Sequence, residues 1–491
     1  MTRSATTLRA AAWAFAATAG TRAITLVALA ILARLLAPRD FGLLAFALVY
    51  LAYAETIGDL GTTVALIYWP DRREDVAQLT FLVNIAMGVA WFLLTLALAP
   101  VIASFFDNPE AAPIVRTLAF AFLIKSLGNT HDGLAQKDLR FRARAIPELG
   151  LATTKALISI ALAVAGFGVW SLVWGHLAGL AAWTAGAWAI VPWRPRFAIP
   201  RGLIGPMVRY GRGIVAVNVI AAVVHHADLI VVGRMLGSAA LGFYQIAYKI
   251  PEASITVVIW VAAKVLFPAF SRLEGSVDDL RRAYLKALQY VSFVTVPMAA
   301  GLYVSARPLV LVFFGPRWEA AIPLLQWLAV YMGVRSLGTH AGDILKATGR
   351  SGLLAGLGVA KAAVLVPALI AAGNVSAEAV AMTLAVVSAA TSLLNVAVAQ
   401  RILRFTLSSA VRAIRTSVIA GAGLVAAGLL LAPALRPLGP AAELSILVAV
   451  CGTVYVAIAA AMDRGLVAGL IAALPLRGRR AIEAREVESW R

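Results

Sequence analysis

The sequence predicts an all-α integral membrane protein of about fourteen spanning helices, built as two parallel six-helix lobes followed by two further helices. Three observations predict it. Of the 491 residues, 61% are hydrophobic and the mean hydropathy is +0.87, whereas soluble domains hold about 45–50% apolar residues. Apolar stretches of ~20 residues, enough to cross a hydrocarbon core, recur along the whole chain. The chain also repeats itself. ILARLLAPRDFG at 31–42 returns as VVGRMLGSAALG at 231–242, with Arg34 matching Arg234, Leu36 matching Leu236 and Gly42 matching Gly242.

The apolar windows place spans at 10–36, 41–69, 77–104, 111–136, 147–167, 169–191, 206–236, 241–270, 283–306, 318–346, 352–372, 377–400, 411–432 and 442–462. The first begins in a basic, small-residue stretch like a signal peptide. Its apolar run continues to Leu36, so it reads as an uncleaved span. Between the spans, Arg140, Arg142, Arg144, Arg194, Arg196, Arg272, Arg281, Arg282, Arg350, Arg401 and Arg404 all fall on one side. The other side holds few basic residues: Arg39, Arg307, Arg317 and Arg436. Positive loops resist translocation, so the basic side is cytoplasmic, and this phase puts both termini there. The longest polar connection, PWRPRFAIPRGLIGPMVRYG, follows the sixth span and divides the chain. The expected divisions are an N-terminal lobe at 1–200, a C-terminal lobe at 201–405, and two added helices with a basic cytoplasmic tail at 406–491.

The charge balance, 43 Lys and Arg against 24 Asp and Glu for a net +19, would suggest nucleic acid in a soluble chain. Here the positive residues gather in cytoplasmic loops, with no basic run interleaved with aromatics, so nucleic acid is set aside. One cysteine, Cys451, allows no internal disulfide. His225 and His226 are adjacent, and neighbours on a helix point about 100° apart, a poor metal pair.

Two more echoes accompany the first. KSLGNTHDGLAQK at 125–137 returns as RSLGTHAGDILK at 335–346, matching Lys125 with Arg335 and His131 with His340. Lys155 in TTKA matches Lys361 in VAKA. Each pair is separated by six spans and so keeps its membrane direction. That is the mark of parallel lobes related by an axis along the membrane normal.

The phrases LARLLAPRDFGLLAFA, HADLIVVGRMLGSAALGFYQIAYKIPE, VLFPAFSRL, FFGPRWEAAIPLLQWLA and ATGR, spread over residues 10–400, resemble the polysaccharide transporter, or Wzx-like flippase, branch of the multidrug/oligosaccharidyl-lipid/polysaccharide exporter superfamily. The resemblance implies lobes around a central cavity that opens alternately to either face of the bacterial inner membrane. Its implied cargo is an oligosaccharide on undecaprenyl pyrophosphate, moved from the cytoplasmic to the periplasmic leaflet. Implied partners are that lipid-linked oligosaccharide, the bilayer, a coupling ion (a proton or a sodium ion) and polysaccharide assembly machinery. Relatives often carry two extra C-terminal spans thought to guide the lipid tail, a part open to residues 411–462.

A charge at the bilayer centre costs ~2.5–3.5 kcal/mol on insertion scales, so charges near mid-span must be wet or paired. The cationic candidates for the pyrophosphate are Arg22, Lys125, Lys155, Lys249, Arg335 and Lys361. Arg22 is the sharpest, because a guanidinium fork suits phosphate oxygens; its structural alternative is an ion pair with Glu55. Lys125 and Arg335 are equivalent in the two lobes, and Lys155 and Lys361 would extend their ring. Glu55, Asp59, Glu252 and Asp228 are candidates for charge balance or ion coupling. Gln245, Lys249 and Glu252 share a helix face. Asp228, with His225 one turn before it, reads mainly as a structural hydrogen-bond partner. Arg34 and Arg234 read as complements to helix C-termini beside turns that end in glycine. Trp13, Tyr50, Tyr53, Phe243, Tyr244 and Tyr248 are candidates for stacking on sugars or for an interfacial belt.

The nearest rival reading is a drug or cation antiporter of the same superfamily, which calls for a carboxylate-dominated cavity. A membrane enzyme, such as a polysaccharide polymerase or ligase, calls for a large periplasmic loop, and the loops on that side are short. No catalytic residue, metal site or cofactor is expected.

Overall fold

The computed structural model describes residues 3–58, 66, 73–138, 140–196, 204–273 and 275–466; side chains at 3–18, 57–58, 141, 204 and 206–221 are outside the description. Asp59 and the basic tail beyond 466 therefore lie outside the residues described, and so does the side chain of Trp13. Among the described residues the chain is helical, with no strand. The helices are α1 (Arg3–Leu35), α2 (Pro38–Gly58), α3 (Arg73–Phe105), α4 (Ala111–Leu118), α5 (Phe120–Lys137), α6 (Phe141–Val164) and α7 (Val169–Ile190). They continue as α8 (Ile204–Arg272), α9 (Val277–Phe313), α10 (Ala321–Ala347), α11 (Ser351–Gly373), α12 (Ala377–Leu403), α13 (Leu407–Leu435) and α14 (Pro440–Met462). Nine described helical segments are long and apolar enough to cross a membrane. Their surfaces carry bare Leu93, Leu157, Val164, Val364 and Leu430, which a bilayer solvates as water would not.

Two breaks follow from local chemistry. Within α8, Gly237 adopts φ 83° and ψ 179°, so the helix stops and restarts there. A positive φ is open to glycine at little cost, and this residue falls between the predicted spans 206–236 and 241–270. The predicted span 111–136 is made of α4 and α5, which meet at Ala119.

The chain forms two compact units. Unit one comprises Met1–Ala253, Val310–Tyr331 and Ser351–Ser388. Within it α6 packs closely against α7. A Cβ at Gly175 would sit 1.9 Å from Ser159 Oγ, and one at Gly179 would sit 2.9 Å from Lys155 Cβ. Hydrogen in place of side chains lets the two backbones approach, the usual device where lipid supplies no hydrophobic drive.

Unit two comprises Ser254–Leu309, Met332–Arg350 and Ala389–Arg491. One core gathers Phe270, Tyr284, Leu288, Ala341, Ile344 and Leu403. A second joins α9 to the last two helices through Val304, Leu424, Leu447, Cys451 and Tyr455. The Tyr455 hydroxyl donates to the Phe293 carbonyl at 2.8 Å. Arg307 Nη1 reaches the buried Glu443 carboxylate at 3.2 Å.

Arg307→Ala would strand that carboxylate, at a cost of about 1–3 kcal/mol. The expected outcome is a lower thermal midpoint for the purified protein, with recovery in the double variant Arg307→Met/Glu443→Leu, which removes both charges.

Candidate functional site

Three of the predicted cations meet. Arg22 of α1, Lys155 of α6 and Lys249 of α8 line one cavity of about 270 Å³ within unit one, together with Thr21, Thr25, Ser159 and Gln245. Helical spacing explains the convergence. Thr21, Arg22 and Thr25 fall on neighbouring turns of α1, and Lys155 and Ser159 are four apart on α6. Lys155 feels the charge of Lys249, and His176 on α7 feels those of Lys155 and Lys125. The field at this cavity is therefore set mainly by cations.

Lys249 holds Glu252 at 2.8 Å, one turn along α8. Arg22 and His225 also act on that carboxylate electrostatically. Ser159 is buried and lines the cavity, yet its Oγ has no hydrogen-bond partner among the described residues. Sequence reading passed over Ser159 and His176. A lone serine or histidine in an apolar run carries no signal until its neighbours are known.

The other candidates lie elsewhere. Lys125 gives its ammonium to Glu55 at 2.6 Å, so the carboxylate weighed as a partner for Arg22 is taken by a different cation. Asp228 is buried and accepts from Tyr244 Oη at 2.9 Å. Lys361 is half-buried on α11 in unit one, and Arg335 is half-buried on α10 in unit two. The candidate aromatics are engaged internally. Tyr50 shares a hydrogen bond with Thr95 at 3.0 Å, Tyr53 donates to the Ala222 carbonyl at 3.1 Å, and Tyr248 stacks on Tyr244.

Phe41, in the first copy of the repeated phrase, also lines the cavity. A Cβ on Gly42 would lie 1.7 Å from the Ser238 carbonyl oxygen, and a Cβ on Gly242 would lie 1.8 Å from that of Pro38. The two copies thus pack reciprocally, backbone on backbone, and each glycine exists for the other copy's approach. Trp318, in the short turn Pro316–Trp318, is fully buried against them. Its indole donates to the Ala33 carbonyl at 2.8 Å, and its ring packs edge-on against Phe41 and Phe243. Arg34 donates to the carbonyls of Val312 and Phe313. It therefore caps the C-terminus of α9, where unsatisfied carbonyls concentrate negative charge. Arg234 instead lies over the Phe105 ring, 5.9 Å from its centre.

Residues 31–323 match the family described as polysaccharide biosynthesis protein. The chain is similar to the lipopolysaccharide biosynthesis protein WzxC of Escherichia coli (strain K12), 28% identical over 389 residues that cover 77% of each chain. It is also similar to the succinoglycan biosynthesis transport protein ExoT of Rhizobium meliloti (strain 1021), 27% identical over 349 residues and 71% of each chain. Among solved structures, the inward closed conformation of the lipid II flippase MurJ superposes with a TM-score of 0.75 at 12% identity, covering 92% of this chain and 99% of that one. An inward-facing multidrug resistance transporter of the MATE family superposes with a TM-score of 0.59 at 15% identity, covering 80% and 94%. These last two are likenesses of fold.

The reciprocal glycine contact makes a direct prediction. Gly42→Val and Gly242→Val force the hairpins apart and should each lower the thermal midpoint of the purified protein by the equivalent of about 1–3 kcal/mol. Gly356→Ala, whose Cβ meets open space, should leave it unchanged or raise it slightly.

Proposed function

The chain belongs to the polysaccharide biosynthesis protein family, and from that premise we propose that it is a flippase for undecaprenyl-pyrophosphate-linked oligosaccharide. It carries this cargo from the cytoplasmic to the periplasmic leaflet of the bacterial inner membrane by alternating access of the lobes 1–200 and 201–405, with both termini cytoplasmic. The single observation that carries the reading is the convergence of Arg22, Lys155 and Lys249 on one cavity among apolar helices. Names given to its relatives, lipopolysaccharide biosynthesis and succinoglycan biosynthesis transport, support it. So does the fold shared with a lipid II flippase.

The roles divide by chemistry. Arg22 presents a planar fork that pairs two phosphate oxygens at once, while Lys155 and Lys249 act as point charges beside it. Glu252 holds Lys249 in the empty state and gives it up to the incoming anion. That exchange keeps the Lys249 ammonium paired at each stage. Lys125, Arg335 and Lys361 serve later positions along the head group's path. Glu55, Asp59, Glu252 and Asp228 balance these charges and are the groups through which a proton or sodium ion would couple. The membrane potential assists directly. A net negative head group leaving an inside-negative cell gains about 2.3 kcal/mol per charge per 100 mV. As a transporter the protein breaks no bond in its cargo.

The test is transport of a fluorescent polyprenyl-pyrophosphate sugar in proteoliposomes. Arg22→Ala should reduce flipping at least tenfold, whereas Arg22→Lys keeps part of it. Normal transport by Arg22→Ala would remove the site. Binding of a cationic dye in preference to a polyprenyl pyrophosphate would favour an antiporter instead.

A further inference from the structure

In unit two, α9 and α13 run side by side and separate at one end. Deeper in they meet closely, where the buried Ser292 and Ser417 share a hydrogen bond at 3.1 Å. Toward the start of each helix they part around a cleft of about 500 Å³. Leu285, Lys286 and Gln289 of α9 line it, with Ser409, Arg412 and Ala413 of α13. All six residues belong to unit two. In the orientation proposed above this end is cytoplasmic. Lys286 and Arg412 each fall in the first turn of an apolar window, 283–306 and 411–432, which is the depth of lipid headgroups.

The cleft is positive. Lys286 and Arg412 are exposed, and no carboxylate among the described residues lines the cleft with them. The carboxylates at this end of α9 and α14 are engaged elsewhere. Asp278 holds Arg281 and Asp279 holds Arg282. Asp463 accepts from Gln289 Nε2 at 3.2 Å and from the Leu466 amide at 2.9 Å. The two cations meet only neutral groups. Lys286 Nζ lies 5.9 Å from the centre of the Tyr290 ring. Arg412 donates to Ser409 Oγ at 3.3 Å and to the Ser408 carbonyl at 3.4 Å. Further along α13 the surface turns apolar. Ile419, on the same face as Arg412, is exposed with Val418 beside it, about 10 Å deeper at the helical rise.

A cationic cleft at headgroup depth above bare aliphatic side chains matches an anion that carries its own hydrocarbon. Basic pockets between spanning helices on the cytoplasmic side hold anionic headgroups in this way. The neutral lining narrows the choice. Gln289 gives its amide nitrogen to Asp463, which leaves Oε1 to accept from a hydroxyl. An ethanolamine headgroup would set an ammonium beside two cations with no carboxylate to receive it, whereas a glycerol headgroup brings hydroxyls.

We propose that the α9–α13 cleft binds phosphatidylglycerol from the cytoplasmic leaflet: the phosphodiester lies on Lys286 and Arg412, the glycerol hydroxyls meet Gln289 and Ser409, and an acyl chain descends along Val418 and Ile419. Only its leaflet rests on the flippase reading. The lipid is a fixed part of the protein's solvent and not its cargo, and it bridges α9 and α13 where the helices themselves no longer touch.

The experiment counts lipids retained by the purified full-length protein in native mass spectrometry, with phosphatidylglycerol and phosphatidylethanolamine of identical acyl chains. Wild type should retain one phosphatidylglycerol with at least tenfold preference. A basic side chain near an anionic headgroup is worth about fivefold in affinity. Lys286→Gln and Arg412→Gln should therefore each weaken retention about fivefold, and the double variant at least tenfold. Lys286→Arg should keep it within about twofold. Arg350→Gln, which removes an exposed cation of unit two outside the cleft, should leave it unchanged. Added phosphatidylglycerol should raise the thermal midpoint of wild type and not that of the double variant, whose midpoint in phosphatidylcholine nanodiscs matches wild type.

Equal retention of the two lipids would overturn the proposal. So would wild-type retention by the double variant, or an equal loss in Arg350→Gln, which would reduce the effect to general charge attraction. A tenfold preference for cardiolipin over phosphatidylglycerol would assign the cleft to a headgroup with two phosphates and overturn it as well. Displacement of phosphatidylglycerol by an equimolar polyprenyl pyrophosphate would make the cleft part of the cargo's path, with the same result. The flippase reading stands or falls separately, on transport by the Arg22 variants.

Discussion

A positive charge halfway along an apolar helix is the constraint on which this structure turns. Insertion scales put it at about 2.5–3.5 kcal/mol for each group, and the chain meets it in two ways. Some cations are neutralised at once, as Lys125 is by Glu55 at 2.6 Å. Others are gathered around space. Arg22 and Lys155 border the same cavity as Lys249, which is itself paired with Glu252, and solvent or an anionic ligand can reach them there. The first arrangement is stable on its own account. The second is stable only while something polar occupies the cavity, and that is why it reads as a binding device.

The neighbourhood of the cavity is built to keep its helices in place while its contents change. Glycines on α7 allow α6 to sit close enough for Lys155 and Ser159 to face inward. The paired hairpins are locked by Gly42, Gly242 and the buried indole of Trp318 beside Phe41, which lines the cavity. Backbone carbonyls bear directly on the opposing copy there, so the closure is stiff. Separating the two hairpins requires movement of whole helices, the kind of discrete repacking that alternating access uses.

Much of this was legible in the sequence, and the missing part shares one cause. Hydropathy placed the third span at 77–104, and α3 runs Arg73–Phe105. The turn-forming stretch between spans 206–236 and 241–270 contains Gly237, whose positive φ breaks the helix. Charges in the middle of apolar runs marked Arg22, Lys155 and Lys249 because such residues are rare and must be accommodated. The second span is expected at 41–69, and α2 begins three residues earlier at Pro38; residues 59–65 and 67–72 lie outside the description. Partners were not legible. Glu55 meets a lysine 70 positions away, and Trp318 bonds a carbonyl 285 positions away. Helical periodicity describes one face of one helix and says nothing about which face it meets. Ser159 shows the same limit, because only the surrounding helices reveal that its hydroxyl is enclosed and unanswered.

Arg34 has a consequence for how this protein can diverge. Its guanidinium is held by the carbonyl oxygens of Val312 and Phe313, and every amino acid supplies that same acceptor. Positions 312 and 313 are thus free to drift among residues suited to lipid or to packing, with the latch intact throughout. Lineages can rewrite that stretch without a compensating change at Arg34, so the two loci would evolve without correlation although they touch.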